Sequence, residues 1–112
     1  MNNILKDIED LKLDIINSSE YKEYKKNEEL LDNNSYIKSL IKEITKLQKE
    51  SERIGNKDIN IENKLEDLFS ELNNNEEYIN YINSSKKLNI LITNIQKNFE
   101  EYFNSLIKKN TD

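Results

Sequence analysis

The side chains in this 112-residue chain that could do chemistry are carboxylates, lysines and tyrosines. There are 22 Asp and Glu, 17 Lys and Arg and six Tyr, with no His and no Cys. Without His and Cys there is no imidazole base, thiolate nucleophile, disulfide or thiolate-held metal. Carboxylates gather at Glu28/Glu29 and at Glu62/Glu66/Asp67. Carboxylate catalysis needs a buried pair with shifted pKa values, and a di-metal helical bundle needs inward Glu-x-x-His pairs. These carboxylates follow polar faces, so neither an active site nor a metal is expected. Ser84-Ser85 lies inside an apolar pattern with Ser85 at a seam position, and reads as a hinge or a close-packing point.

Two constellations could contact other molecules. Lys38, Lys42, Lys46, Lys49 and Arg53 form a basic stripe at helical spacing. It could meet an acidic partner or an RNA backbone, or be a solvated face; Glu43 and Glu50 interrupt it. The pairs Tyr21/Tyr24 and Tyr78/Tyr81 stand at i, i+3. They either cover the ends of a core with the hydroxyl in water or anchor an interface. Tyr21, Tyr24, Lys38, Lys42 and Lys46 are the candidate partner surface.

These residues must sit on helices. Ile4, Ile8, Leu11 and Ile15 mark one amphipathic face over about residues 3–17. After Asn17-Ser18-Ser19 a second helix is expected over 19–32, unless it continues the first with a bend; Asn17 with Glu20 has capping-box spacing. After Asn33-Asn34-Ser35, the residues Ile37, Leu40, Ile44, Leu47, Ser51 and Ile54 alternate by three and four. That heptad seam predicts a helix over 35–54, closed by Gly55-Asn56. A short helix is expected over 60–73, with Asp58 or Asn60 as its N-cap. Asn74 with Glu77 again has capping-box spacing. The last helix is expected over 76–109, with Tyr78, Tyr81, Ser85, Leu88, Ile92, Ile95, Phe99, Tyr102 and Leu106 as its seam. At 1.5 Å per residue it would be about 50 Å long, more than a compact domain of this size accommodates. Either it bends near Asn83-Ser84-Ser85 or its end packs on another subunit. Tyr78, Tyr81, Leu88, Ile92, Ile95, Phe99, Tyr102 and Leu106 are therefore the candidate interface.

Composition agrees with this helical reading. Leu, Ile and Phe make up 32 residues and there is no Val, Ala or Pro and a single Gly. The aliphatic content exceeds the level that signals disorder. The lack of turn residues argues against an all-β fold. A net charge of −5 argues against free-standing binding to nucleic acid or to an anionic membrane. No stretch of 18 apolar residues could span a membrane, and Met1 to Asp7 is not a signal peptide. A cytoplasmic protein is expected.

The order of segments carries a resemblance. Ser18-Ser19-Glu20-Tyr21-Lys22-Glu23-Tyr24-Lys25-Lys26 follows an N-terminal helix; Leu30-Leu31 and an Asn break come next. A helix holding Lys46-Leu47-Gln48-Lys49-Glu50 ends at a Gly. Glu71-Leu72-Asn73-Asn74-Asn75-Glu76-Glu77-Tyr78 then leads to Leu88 through Ile95. Over roughly residues 4 to 107 this layout resembles the YlbF/YmcA family of small helical bacterial proteins, which includes YheA-like members. The resemblance implies an all-α protein that self-associates or joins paralogues and acts as an adaptor without catalytic residues. YlbF and YmcA, with YaaT, direct ribonuclease Y in processing certain transcripts, and so affect competence, sporulation and biofilm formation. They hold Fe–S clusters through cysteines; this chain has none, so no cofactor is expected, and a YheA-like paralogue of unassigned role fits that absence.

The expectation is therefore one all-α domain over 1–112. It should hold four to five amphipathic helices in a bundle with a long C-terminal helix, the first, third and last supplying most of the core. It is expected to dimerise and to act as a regulatory adaptor through helical surfaces. Its partners would be itself or paralogues, and on the resemblance a YaaT-like protein and ribonuclease Y, with no membrane and no direct nucleic-acid contact. A small secreted helical-hairpin protein is the alternative from another class; it would carry Trp-x-Gly where this chain has Ile54-Gly55.

Overall fold

The computed structural model describes residues 2–55 and 58–111, with side chains described for residues 3–55 and 58–108. These residues form five helices and no strand: α1 (Asn2–Ile16), α2 (Ser19–Asp32), α3 (Ser35–Ile54), α4 (Ile59–Asn73) and α5 (Glu76–Thr111). The bounds of α2 and α3 are those expected, and α1, α4 and α5 shift by one or two residues. Five helices are not a single hairpin. Asn56 of the expected Gly55-Asn56 stop lies outside the described residues.

Each break has a local cause. Ser18 separates α1 from α2: its Oγ donates to the Ile15 carbonyl at 2.6 Å and accepts from the Tyr21 amide at 3.2 Å. The cap is thus Ser18, one residue beyond the expected Asn17. Asn34 caps α3 by accepting from the Ile37 amide at 3.0 Å. Asp58 rather than Asn60 caps α4, accepting from the Asn60 amide at 2.9 Å. Asn75 caps α5, accepting from the Tyr78 amide at 3.1 Å, whereas the expected Asn74 ends α4. Such side-chain acceptors satisfy amides that a helix start leaves without partners. Gly55 closes α3 at φ 73°, the left-handed conformation that glycine adopts without strain.

Contacts divide the chain into two units. One comprises residues 25–82, the other residues 1–24 and 83–112. The first holds the buried core. Ile37, Leu40 and Ile44 of α3 pack with Leu72 of α4, and Leu31, Leu65, Leu68 and Tyr78 lean on them half-buried. The first half of the expected α3 seam is buried here, whereas Leu47 and Ser51 are half-buried and Ile54 is exposed. Polar ties also cross this unit. The Asn27 amide, itself buried, donates to the Asn80 carbonyl at 3.2 Å, and the Asn34 amide donates to Glu77 at 2.8 Å.

The second unit contains α1, the start of α2 and most of α5. Its sole fully buried described side chain is Ser84. This corrects the expectation for α1, which supplies no buried residue: Ile4, Leu5, Ile8 and Leu13 are exposed, and Leu11 and Ile15 are half-buried. The helical assignment of α5 runs unbroken through Asn83-Ser84-Ser85.

Candidate protein-protein interface

The seam of α5 has three stretches with different fates. Tyr78 and Tyr81 are half-buried in the first unit, Tyr78 against the α3–α4 core. Leu88, Ile92 and Ile95 are half-buried in the second unit. Beyond them the pattern continues and the burial stops. Phe99, Tyr102 and Leu106 are 46%, 64% and 43% exposed, and Phe103 and Ile107 beside them are 56% and 61% exposed. From residue 96 to residue 108 every side chain is exposed.

Aromatic side chains there cover one another only in part. The Phe99 and Phe103 rings stack with centroids 6.2 Å apart, and Tyr102 meets Phe103 edge-on at 6.3 Å. Ile95, Asn98, Phe99 and Tyr102 line a shallow groove. A second groove lies between α2 and α5, where Tyr24 faces Leu88, Asn89 and Ile92. A contiguous apolar surface of this kind on a helix marks a site that meets another macromolecule.

The other sequence-predicted residues fall elsewhere. Lys38, Lys42, Lys46, Lys49 and Arg53 are all exposed on the face of α3 opposite Ile37, Leu40 and Ile44. Lys46, Lys49 and Arg53 share a shallow surface with Glu50. Tyr21 and Tyr24 are half-buried in the second unit, with Tyr24 turned to α5. The lysines thus belong to the first unit, and Tyr21 and Tyr24 to the second. Ser84 is buried, and the singled-out Ser85 is half-buried beside the Tyr24 groove.

Glu20 and Tyr36 depart from their ordinary values. Glu20 is held below the usual carboxylate range by its own backbone amide at the start of α2, then by the Ser19 hydroxyl, with Lys87 nearby. The Tyr36 hydroxyl donates to Glu71 at 2.9 Å, and that bond to a carboxylate raises the phenol above its usual value. Glu20 is half-buried at the start of α2 and Tyr36 is exposed on α3. Among the described residues no three carboxylates gather as a cation site, and no helix is long and apolar enough to cross a membrane.

Sequence patterning does not point to Asn27 or Tyr36, which help tie the first unit together. Asn27 lies in the polar run Lys25-Lys26-Asn27-Glu28-Glu29, where nothing marks it as buried. Asn34 was one of three equivalent cap candidates.

The described residues form five helices, with an exposed apolar and aromatic face on α5. The family model for "Control of competence regulator ComK, YlbF/YmcA" matches residues 4–102. The chain belongs to the YlbF/YmcA family. The fold is also that of Bacillus subtilis RicA, whose crystal structure is of its complex with RicF. The TM-score is 0.78 at 14% identity, over 88% of this chain and 90% of that one. No curated protein sequence matches the chain.

Proposed function

We propose that this protein is a non-enzymatic regulatory adaptor of the cytoplasm that works by presenting helical faces to other proteins. The observation that carries this reading is the exposed aromatic stretch of α5 from Phe99 to Ile107, on a helix that has no cover there. Family membership supports it, since the family model describes control of a competence regulator. So does the RicA fold, which was solved in a complex of two proteins. On this reading the partners are paralogues of the family, a YaaT-like protein and ribonuclease Y. The output is the processing of selected transcripts, with effects on competence and biofilm formation.

The lack of Cys favours a second reading within the family. A YheA-like paralogue would keep the fold and its helical surfaces without an Fe–S cluster or a place in that pathway. Mapping transcript ends in the native host separates the two. Deleting the gene should lengthen the transcripts that ribonuclease Y cuts, and re-expression should restore the ends. Unchanged ends would assign the protein to the second reading.

A further inference from the structure

The outer face of α3 carries a row of charge that the fold does not use. At about 100° per residue, Lys38, Lys42, Lys46, Lys49 and Arg53 fall within an arc of about 80°, along roughly 22 Å of helix. All five are exposed, and among the described residues none forms an ion pair. Glu43, Glu50 and Glu52 are near enough along α3 to offer partners at i, i+3 or i, i+4. They stand outside the arc and are unpaired as well.

Local stability does not favour this arrangement. Lys38 with Lys42, Lys42 with Lys46, and Lys49 with Arg53 are like charges at i, i+4, which oppose one another on a helix. Lys38 and Lys42 also lie in the first two turns of α3, where the helix dipole disfavours cations. Arg53, in the last turn, is the one cation that the dipole favours. A face shaped only for solubility would alternate the signs at that spacing. A helix that obeys the local rules on its buried face and departs from them on its outer face marks that face as functional.

The charges around the row set its occupant. Five unpaired cations call for an anionic partner. Glu43 and Glu50, seven residues apart, run along one edge of the row, and Glu50 shares a shallow surface with Lys46, Lys49 and Arg53. A nucleic-acid backbone is uniformly negative and would be repelled at that edge, by a chain whose net charge is already −5. No aromatic lies in the arc to stack a base, since Tyr36, the aromatic of α3, bonds to Glu71. A protein helix can meet both rows. Its carboxylates at i, i+4 recur every ~6 Å, as the lysines do, and a basic residue at each seventh position would face Glu43 and Glu50. This chain does not supply such a helix itself: its acidic rows at that spacing stop at three members, as in Asp7, Asp10 and Asp14 of α1. We infer that the outer face of α3, from Lys38 to Arg53, docks an acidic helix of a different protein. This rests on the adaptor reading in taking the occupant to be a protein, and it adds a contact on the unit of residues 25–82.

Carbodiimide cross-linking tests it, because that reagent joins a lysine amine directly to a carboxylate. Applied to the chain captured from native-host extract, it should join Lys42, Lys46 and Lys49 to Asp or Glu residues three or four apart in a second protein. Lys42→Gln/Lys46→Gln/Lys49→Gln should lower recovery of that protein at least tenfold, with the melting temperature unchanged or raised. Lys6→Gln/Lys12→Gln/Lys97→Gln, which removes three exposed lysines elsewhere, should leave recovery as in the wild type. A melting temperature several degrees lower in the α3 variant would assign the row to folding and overturn the inference. So would α3 cross-links between two copies of this chain, ultraviolet cross-links from α3 to RNA, or no cross-links from α3 at all. If the α3 variant recovers the wild-type partners in full, the inference falls and the adaptor reading stands. If the wild type recovers no protein, both fall. Cross-links from α3 to a second protein, in a host whose transcript ends do not depend on this chain, leave the docking face standing and remove the pathway.

Discussion

Asn34 and Glu77 join the starts of two helices through one side chain. The Asn34 amide nitrogen donates to Glu77 Oε2 at 2.8 Å in the first turn of α5, while its oxygen accepts the Ile37 amide at the start of α3. A single residue therefore ends the break after α2, caps α3 and fixes where α5 begins. Alanine at position 34 removes both bonds and should cost about 1–2 kcal/mol. Asn34→Asp keeps the acceptor for Ile37 but sets a carboxylate against Glu77. Urea unfolding should find it weaker than wild type at neutral pH, because two carboxylates then face each other.

Asn27 offers a sharper contrast of charge and burial. Its amide is buried and donates to the Asn80 carbonyl. Asn27→Asp turns the donor into a carboxylate facing a carbonyl oxygen, so it should destabilise more than Asn27→Ala, which costs about 1–3 kcal/mol. Equal unfolding midpoints for the two variants would contradict this tie.

The two halves of the α3 stripe should respond differently. Ile37 is 0% exposed at the centre of the core, and Ile37→Ala should cost about 2–5 kcal/mol. Ile41, one turn on, is 41% exposed, and Ile41→Ala should cost under about 1 kcal/mol. Denaturant midpoints of the two variants check the difference.

Tyr36 gives a pH signature. Its bond to Glu71 raises the phenol in the folded chain above its unfolded value. A raised folded value favours the neutral phenol, so any stability it contributes is present below the unfolded pKa near 10 and is lost as pH rises through the folded one. In Glu71→Gln the Tyr36 phenol should ionise at lower pH than in the wild type, read by ultraviolet phenolate absorbance. An unchanged titration would show that the bond does not persist in solution.

Much of this architecture was legible because helical periodicity is a statement about faces. Ile37, Leu40 and Ile44 recur on one side, and that side is buried. Gly55 was legible because an isolated glycine after an apolar seam has few other uses. The caps were misplaced by one residue at Ser18 and Asn75 for a physical reason. In Asn17-Ser18-Ser19 and Asn73-Asn74-Asn75 each residue can cap, and the glutamate three positions after Asn17 or Asn74 suggested a box. The amides actually capped belong to Tyr21 and Tyr78. The role of α1 was misread because an apolar stripe does not say whose surface covers it. Ile4 and Ile8 have the same spacing as the buried Leu40 and Ile44, yet they remain exposed. The lysines of α3 and the tyrosine pairs were visible as residues, but their division between two units was not.

The most direct test of the adaptor account is affinity capture of the chain from its native host, followed by mass spectrometry, alongside Phe99→Glu/Tyr102→Glu. The account predicts that the wild type recovers another YlbF/YmcA-family protein, a YaaT-like protein or ribonuclease Y, and that the variant loses them while staying folded. Recovery of the chain with none of these, or equal recovery by the variant, would contradict it.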